Sequence, residues 1–181
     1  MIDVLMTHSY FLRFDPKEFE AMMPYPPLGT LYAASVIRKR GYSVALFDSM
    51  LAEKEEDIVP LLSTHKPRVV VIYDDDFNYL TKMCLTRMRE AAFRISQFAK
   101  DAGCTVIVHG SDPVDHVEKY IANGADYVIC GEGERTLEEL LDLLLMERKD
   151  PTTVAGLAFY AEGRIYRTPP RKVNKILDEI P

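Results

Sequence analysis

Five short apolar runs alternate with stretches of helical spacing, and this alternation constrains the fold of the 181-residue chain more than any other feature. The runs are rich in β-branched residues and nearly continuous, which is typical of strands covered on both faces. Strand alternating with helix predicts parallel strands joined by right-handed crossovers. We therefore predict an α/β fold with a Rossmann-like, doubly wound sheet of five parallel strands in flavodoxin-like order. The predicted strands are residues 2–6, 44–47, 69–73, 105–108 and 127–130.

Apolar stripes at helical spacing fill the intervals between these strands, and their members are expected in the core rather than against a cofactor. Glycines follow three of the stripes at the position where a helix commonly ends, namely Gly41, Gly103 and Gly124. The first stripe consists of Leu28, Leu31, Tyr32, Val36 and Ile37.

The pattern changes after residue 150. Two short runs, residues 157–160 and 164–167, flank a turn at Glu162-Gly163 and predict a β-hairpin. The charged, proline-bounded segment that follows shows no core face and resembles a linker. We therefore expect a Rossmann-like domain over residues 1–150, followed by a hairpin and linker over residues 151–181.

Composition and charge argue against several classes of binding partner. A formal net charge of −6 and a pI near 5.3 argue against a nucleic-acid or anionic-membrane surface. No apolar run approaches the roughly 18 residues that span a bilayer, and the N-terminus lacks a secretory signal pattern. The three cysteines, Cys84, Cys104 and Cys130, are too widely spaced for a disulfide framework or a local metal cluster. We expect a cytoplasmic protein that binds a small-molecule cofactor, with no nucleic-acid and no membrane partner.

Ligands of open α/β sheets bind at the carboxyl ends of the strands, so the loops that follow the strands supply the candidate site. The loop after the first strand runs from Thr7 to about Pro27, a length typical of a functional or disordered segment. Among the four histidines, only His8 and His109 end strands, and we expect both to face the crevice. The candidate cofactor-binding residues are His8, Ser9, Tyr10, Pro27, Leu28, Gly29, Tyr73, Asp74, Asp75, Gly110, Ser111, Asp112, Gly131, Glu132, Gly133 and Glu134.

Two of these loops also admit a purely structural interpretation. Asp74, Asp75 and Asp76 offer the oxygen ligands that Mg²⁺ prefers, but neighbouring side chains on an extended segment point apart. Asp76 could instead cap the long helix that follows. Asp112 followed by Pro113 is also a good N-cap and first-turn pair for a helix. The chain has no G-x-G-x-x-G or Walker A pattern and no nucleophile and base pair at a suggestive spacing. We predict no catalytic residue and no metal ligand.

The stretch of residues 125–137 predicts a buried strand, an acidic turn with two glycines, and a helix. A capping box of Thr136 and Glu139 would place the start of that helix. The two glycines let backbone approach a ligand closely. The glutamates at positions 132 and 134 disfavour a phosphate at the helix N-terminus, because like charges repel. We expect this turn to contact a large neutral cofactor through backbone, with the glutamates as polar anchors.

Three blocks of sequence resemble one family when taken together and in order. The first block is P-P-L-G-T-L-Y-A-A at residues 26–34, followed by R-K-R-G-Y-S-V at residues 38–44. The second is A-D-Y-V-I-C-G-E-G-E-R-T-L-E-E-L-L at residues 125–141, and the third is I-Y-R-T-P-P-R at residues 165–171 with L-D-E-I-P at the end. The chain resembles, over essentially its whole length, the amino-terminal domain of cobalamin-binding radical S-adenosylmethionine (radical SAM) enzymes. That family includes methyltransferases and the anaerobic cyclase of the Mg-protoporphyrin monomethyl ester.

The resemblance implies a domain that holds cobalamin over the carboxyl edge of the sheet. It also implies a C-terminal radical SAM barrel in the same parent chain, which would bind a [4Fe–4S] cluster and S-adenosylmethionine. The chain stops at Pro181, where that barrel would begin, so we expect a fragment that is inactive alone. Better-known cobalamin proteins carry a D-x-H-x-x-G motif whose histidine is the lower axial ligand of cobalt. Neither His8 nor His109 stands in such a motif, so we expect cobalamin to bind without a protein histidine.

Two other hypotheses remain open from the sequence. The chain could be a degenerate Rossmann-like scaffold that binds no cofactor and serves as an interaction domain, since the axial motif is absent and the loops are acidic. It could also be a Mg²⁺-dependent phosphotransfer or receiver-like domain built on residues 74–76, although this acidic run follows the third strand only.

Overall fold

The computed structural model of the chain describes residues 1–74, 83–147 and 150–173, and seven strands in these ranges form one sheet. The strands are β1 (Val4–Thr7), β2 (Val44–Phe47), β3 (Val69–Tyr73), β4 (Thr105–His109), β5 (Tyr127–Ile129), β6 (Leu157–Ala161) and β7 (Arg164–Arg167). Their order in the sheet is β2-β1-β3-β4-β5-β6-β7. The first five strands pair in parallel, and β6 and β7 are antiparallel additions.

The five parallel strands adopt the predicted flavodoxin-like order, and the predicted hairpin is present. The hairpin continues the sheet, because Val128 of β5 lies opposite Ala158 of β6 and both residues are fully buried. Pairing with β6 covers the edge of β5, which would otherwise expose its N–H and C=O groups. The predicted linker continues beyond residue 173, outside the described residues.

Helices cover both faces of the sheet, and the glycines predicted to end three of them adopt positive φ. The φ angles are +105° at Gly41, +79° at Gly103 and +105° at Gly124. The helices are α1 (Pro16–Ala21), α2 (Leu28–Lys39), α3 (Val59–His65), α4 (Leu85–Asp101), α5 (Ser111–Asp115), α6 (Val117–Ala122) and α7 (Gly133–Asp142), with a π-helical turn at Leu143–Glu147.

Alternate residues of the strands face two separate cores. Val4, Val69 and Val71 pack in the core covered by α2 and α7. Leu5 and Val70 face the other core, which is covered by α3, α4, α6 and the loop after β1. Strands covered on both faces must be apolar on both faces, and this is the pattern from which they were predicted. Within the described ranges, no helix is long and apolar enough to cross a membrane.

The prediction for the core face of α2 was wrong for Leu28, Leu31 and Tyr32 but right for Ile37, which is fully buried. Leu28, Leu31 and Tyr32 from the predicted stripe are 49%, 38% and 46% exposed. The small side chains on the opposite face let α2 approach the sheet closely, which turns these larger residues outward. The residues that α2 buries are Gly29, Thr30, Ala33, Ala34 and Ile37.

Candidate functional site

The loops that follow β1, β3, β4 and β5 meet at one edge of the sheet, as predicted from parallel strands. The backbone N–H of Ser9 donates to Oδ1 of Asp74 at 2.7 Å, and the N–H of Asp74 donates to the carbonyl of His109 at 3.1 Å. Nε2 of His109 lies 3.1 Å from the carbonyl oxygen of Gly131. Four separate loops are thus held together by hydrogen bonds. We call the surface formed by residues 8–10, 27–29, 73–74, 109–112 and 131–134 the carboxyl edge.

His8 is buried rather than presented to the crevice, contrary to the prediction. The residue is only 2% exposed, and its Nε2 lies 2.9 Å from Oδ1 of Asp48. Its Nδ1 lies 3.1 Å from Oγ of Ser49, so both ring nitrogens contact protein groups. Burial raises the pKa of Asp48, but the hydrogen bond and charge of His8 outweigh burial and leave that pKa below its usual value. His8 therefore anchors the end of β1 to the segment after β2.

The loop after β1 is largely packed into the core, and two more of its predicted cofactor contacts are buried there. The ring of Tyr10 is 1% exposed and lies 5.8 Å from the ring of Tyr25. Ser9 is fully buried, and its Oγ donates to the carboxylate of Asp74 at 2.8 and 2.9 Å. Asp74, also buried, ties the loop after β1 to the end of β3.

The predicted ligand Asp75 and the neighbouring Asp76 lie outside the described residues. Among the residues that the structure describes, no group of three or more histidine, cysteine, aspartate or glutamate side chains is placed to hold a metal ion. Asp74, the described member of the acidic run, is occupied by the backbone and hydroxyl of Ser9.

Replacing Ser9 with alanine should lower the free energy of unfolding by about 1–3 kcal/mol, because a buried carboxylate loses its hydroxyl donor. Urea denaturation followed by circular dichroism measures this loss. Ser63→Ala, a change of the same type at an exposed position of α3, is the matched control and should have little effect. Equal stabilities of the two variants would show that the Ser9 hydroxyl does not support Asp74.

Tyr73 and His109 form a stacked pair at the centre of the carboxyl edge. Their ring centroids are 4.1 Å apart, and the hydroxyl of Tyr73 donates to Oε1 of Glu134 at 3.0 Å. The hydroxyl of Thr30 in α2 donates to the carbonyl of Tyr73 at 2.6 Å. A Cβ on Gly133 would lie 2.1 Å from the Tyr73 hydroxyl and 2.9 Å from Nε2 of His109. Gly133 is therefore required for α7 to begin directly against this pair.

The start of α7 differs from the prediction. The helix begins at Gly133, three residues before the predicted cap, and Thr136 lies inside it with its hydroxyl donating to the carbonyl of Glu132 at 2.8 Å. Glu139 does not reach back to the helix start, because it forms an ion pair with Arg171. The capping box was therefore wrong, although the acidic turn lies where it was expected.

Gly131 is the most exposed residue of the acidic turn at residues 131–134. Its φ is +84°, a conformation that favours glycine, and no atom lies within 4 Å of the place where a Cβ would stand. Glu132 and Glu134 beside it are partly buried. The turn thus presents bare backbone to the crevice, with carboxylates at its margin.

In the loop after β4, Ser111 is exposed at the carboxyl edge, whereas Gly110 and Asp112 are buried. Gly110 has a φ of +145°, and a Cβ there would lie 3.1 Å from Cβ of Asp74. Ser111 begins α5 and is exposed. The carboxylate of Asp112 is buried, and it receives hydrogen bonds from Arg89 at 2.7 and 2.5 Å and from the Tyr120 hydroxyl at 2.8 Å.

Asp112 does not cap α5, whose N-cap is Gly110, so the capping interpretation was wrong. Its carboxylate, predicted as a cofactor contact, is bonded within the protein to Arg89 and Tyr120. Burial raises the pKa of its carboxyl, but the hydrogen bonds from Arg89 and Tyr120 outweigh burial and hold that pKa below its usual range. The sequence analysis also missed Asp48 and Ser49, which secure His8. Their position directly after β2 was the available signal.

At the start of α2, Pro27 and Gly29 are buried and Leu28 is exposed. The helix enters the carboxyl edge with a leucine side chain on its outer face. Among the residues of the carboxyl edge, the exposed ones are Leu28, Ser111 and Gly131.

The sequence profile of the family described as B12 binding domain matches residues 20–141, which is more than half of the chain. The matched part includes α2 and the ends of β3, β4 and β5, which build most of the carboxyl edge. The chain belongs to the B12-binding domain family.

The chain is 28% identical over 161 residues to the uncharacterized methyltransferase PH0819 of Pyrococcus horikoshii, covering 86% of this chain and 32% of that protein. It superposes on the radical SAM methyltransferase TsrM of Kitasatospora setae with a TM-score of 0.70 at 17% identity, covering 95% of this chain and 31% of that one. It superposes on the cobalamin-dependent S-adenosylmethionine radical enzyme OxsB with a TM-score of 0.74 at 19% identity, covering 100% of this chain and 24% of that one. These likenesses confirm the fold. The chain spans about a third or less of each relative.

Proposed function

We propose that the carboxyl edge binds cobalamin and that the chain is the cobalamin-binding module of a larger radical SAM protein. The observation that carries the proposal is the family match over residues 20–141, which includes most of the loops that meet at this edge. The structures of TsrM and OxsB with cobalamin bound support it, because their folds resemble this one over nearly the whole chain.

The residues at the carboxyl edge fit a large, flat macrocycle. Gly131 is open on its outer side, and Ser111 and Leu28 are exposed, so backbone and small or apolar side chains can lie against the corrin. Glu132 and Glu134 would accept hydrogen bonds from neutral amide side chains of the cofactor, and they disfavour an anion at the start of α7.

The histidines support binding without a protein ligand to cobalt. His8 is buried, with both ring nitrogens against protein groups. His109 is stacked on Tyr73 and has Nε2 against the carbonyl of Gly131. Neither ring is presented outward to a metal centre at the edge.

When bound, cobalamin supplies a cobalt centre that can carry and transfer a methyl group. The residues of this chain hold and orient the cofactor and leave one side of it open. A catalytic barrel with a [4Fe–4S] cluster and S-adenosylmethionine would cover that side, as a C-terminal part of the parent chain. The methyltransferase name of PH0819 and the bound cluster and cofactors of TsrM and OxsB favour this arrangement.

Exposed apolar side chains in the segment that leads into and through α2 also favour a covering domain. Soluble domains rarely expose clustered large apolar residues without a partner. Six such residues fall between positions 19 and 32, in α1, in α2 and between them: Phe19, Met22, Met23, Leu28, Leu31 and Tyr32.

Cobalamin binding is tested by incubating the purified chain with hydroxocobalamin and separating free cofactor by gel filtration. Corrin absorbance should elute with the protein. Ser111→Trp, which places a bulky ring at the carboxyl edge, should weaken binding at least tenfold because the ring occupies the space of the corrin.

Ala122→Trp is the matched control, since Ala122 is also exposed on a short helix but lies at the opposite edge of the sheet. This variant should bind cobalamin like the unmodified chain. If folded protein and corrin separate completely, the domain is a scaffold that binds no cofactor.

A further inference from the structure

A pocket of about 290 Å³ opens beside Gly131, between the ends of β5, β6 and β7 and the segment that follows β7. Its lining includes Leu157, Arg167, Thr168 and Arg171. Leu157 lies opposite Ile129, and Arg167 lies opposite Ala158, so the end of β7 returns to the carboxyl edge. We call this the hairpin pocket. It is continuous with the proposed cofactor site through Gly131.

The charged residues that line the hairpin pocket are all basic. None of the eight described residues that line it is acidic, and two are arginines. Arg171 is already engaged, because its Nε donates to Oγ1 of Thr136 at 2.6 Å and its guanidinium pairs with Glu139.

Arg167 is different, since its exposed side chain has no hydrogen bond or ion pair with any described residue. Arg167 and Cys130 both line the hairpin pocket, so the guanidinium belongs to the same pocket wall as the backbone beside Gly131. An arginine with unused donors beside an open backbone turn is suited to a phosphate group, whose oxygens match the guanidinium donors.

The two sides of Gly131 therefore differ in the anions they admit. On the side of α7, the glutamates at positions 132 and 134 repel a phosphate. On the side of the hairpin, Arg167 attracts one. A cofactor that carries a single phosphodiester on a flexible arm would place that group on the hairpin side.

We propose that the hairpin pocket binds a phosphate-type anion, and that its occupant is the phosphodiester in the nucleotide loop of cobalamin bound at the carboxyl edge. This inference rests on the proposed function. Cobinamide, which has the same corrin but no nucleotide loop, separates the two ideas, because it can occupy the edge but leaves the pocket empty.

The test measures binding of cyanocobalamin and of dicyanocobinamide by equilibrium dialysis for the unmodified chain, Arg167→Gln and Arg164→Gln. Arg167→Gln should weaken cobalamin binding about five- to tenfold, as expected for loss of a charge-assisted hydrogen bond at a partly exposed site, and should leave cobinamide binding unchanged. Arg164→Gln removes the same charge from the other end of β7, opposite Ala161, and should change neither. Inorganic phosphate at constant ionic strength should compete with cobalamin but not with cobinamide.

Each of the other outcomes would overturn either this inference or the proposed function. Equal losses for both corrins, or no loss for either in Arg167→Gln, overturn the inference but leave cobalamin binding intact. Phosphate binding that depends on Arg167, without any difference between the corrins, assigns the pocket to a free anion and overturns the assignment to the cofactor. If the unmodified chain binds neither corrin, the proposed function fails and this inference fails with it.

Discussion

Asp112→Asn should lower the free energy of unfolding by about 2–4 kcal/mol, because it breaks a buried ion pair and leaves Arg89 without its carboxylate partner. The side chain of Asp112 is 7% exposed and that of Arg89 is 19% exposed, so water replaces the lost bonds poorly. The carboxylate also accepts from Tyr120, and the network joins α4, α5 and α6. Urea denaturation at neutral pH measures the effect.

The same substitution should also change the response to acid. The folded-state pKa of Asp112 is lowered, so its ionisation stabilises the fold fully above its unfolded pKa of about 4. This contribution is lost as the pH falls through the folded-state pKa. The stability difference between the unmodified chain and Asp112→Asn should therefore shrink between pH 7 and about pH 3. A difference that stays constant over this range would contradict the ion-pair assignment.

A matched control uses the exposed pair of Arg94 and Glu56, whose side chains are 60% and 41% exposed. Glu56→Gln neutralises one carboxylate in an arginine pair just as Asp112→Asn does. It should produce no measurable loss, since solvent screens the exposed charges.

Gly133→Ala should destabilise the domain by about 1–3 kcal/mol, although the same change in an ordinary helix stabilises by about 0.5–1 kcal/mol. The added methyl group would lie 2.1 Å from the Tyr73 hydroxyl and 2.8 Å from Cζ of that ring. Tyr73 is 3% exposed and stacked on His109, so it cannot move aside without disturbing the centre of the carboxyl edge. The variant should also bind cobalamin more weakly than the unmodified chain.

A double-mutant cycle identifies the cause of the Gly133→Ala effect. Tyr73→Phe removes the nearest atom, so Gly133→Ala should cost less in that background than in the unmodified chain. Tyr73→Phe alone should cost about 1 kcal/mol, because the hydrogen bond to Glu134 is lost. A stabilising effect of Gly133→Ala would show that Tyr73 does not lie against α7.

The sequence analysis predicted the strands well because each depends on a local pattern. β2, β3 and β7 have the predicted bounds, and the other strands differ by a residue or two at their ends. The core face of α2 could not be predicted from a local pattern in the same way. Large apolar residues at helical spacing marked one face, but close packing on the sheet selected the small residues of the other face. The start of α7 was misplaced because Arg171, distant in the chain, holds both Thr136 and Glu139.

The sequence by itself determined the strand order, the edge at which the loops after the strands meet, and the acidic turn with its glycines, because periodicity and chain connectivity are local properties. Only the tertiary structure decided which polar residues face that edge. Ser9 meets Asp74 across 65 positions, His8 meets Asp48 across 40, and Asp112 meets Arg89 across 23. A buried polar side chain must be paired, and its partner is set by the packing of distant segments. Residues that looked like ligands in the sequence therefore became supports of the site.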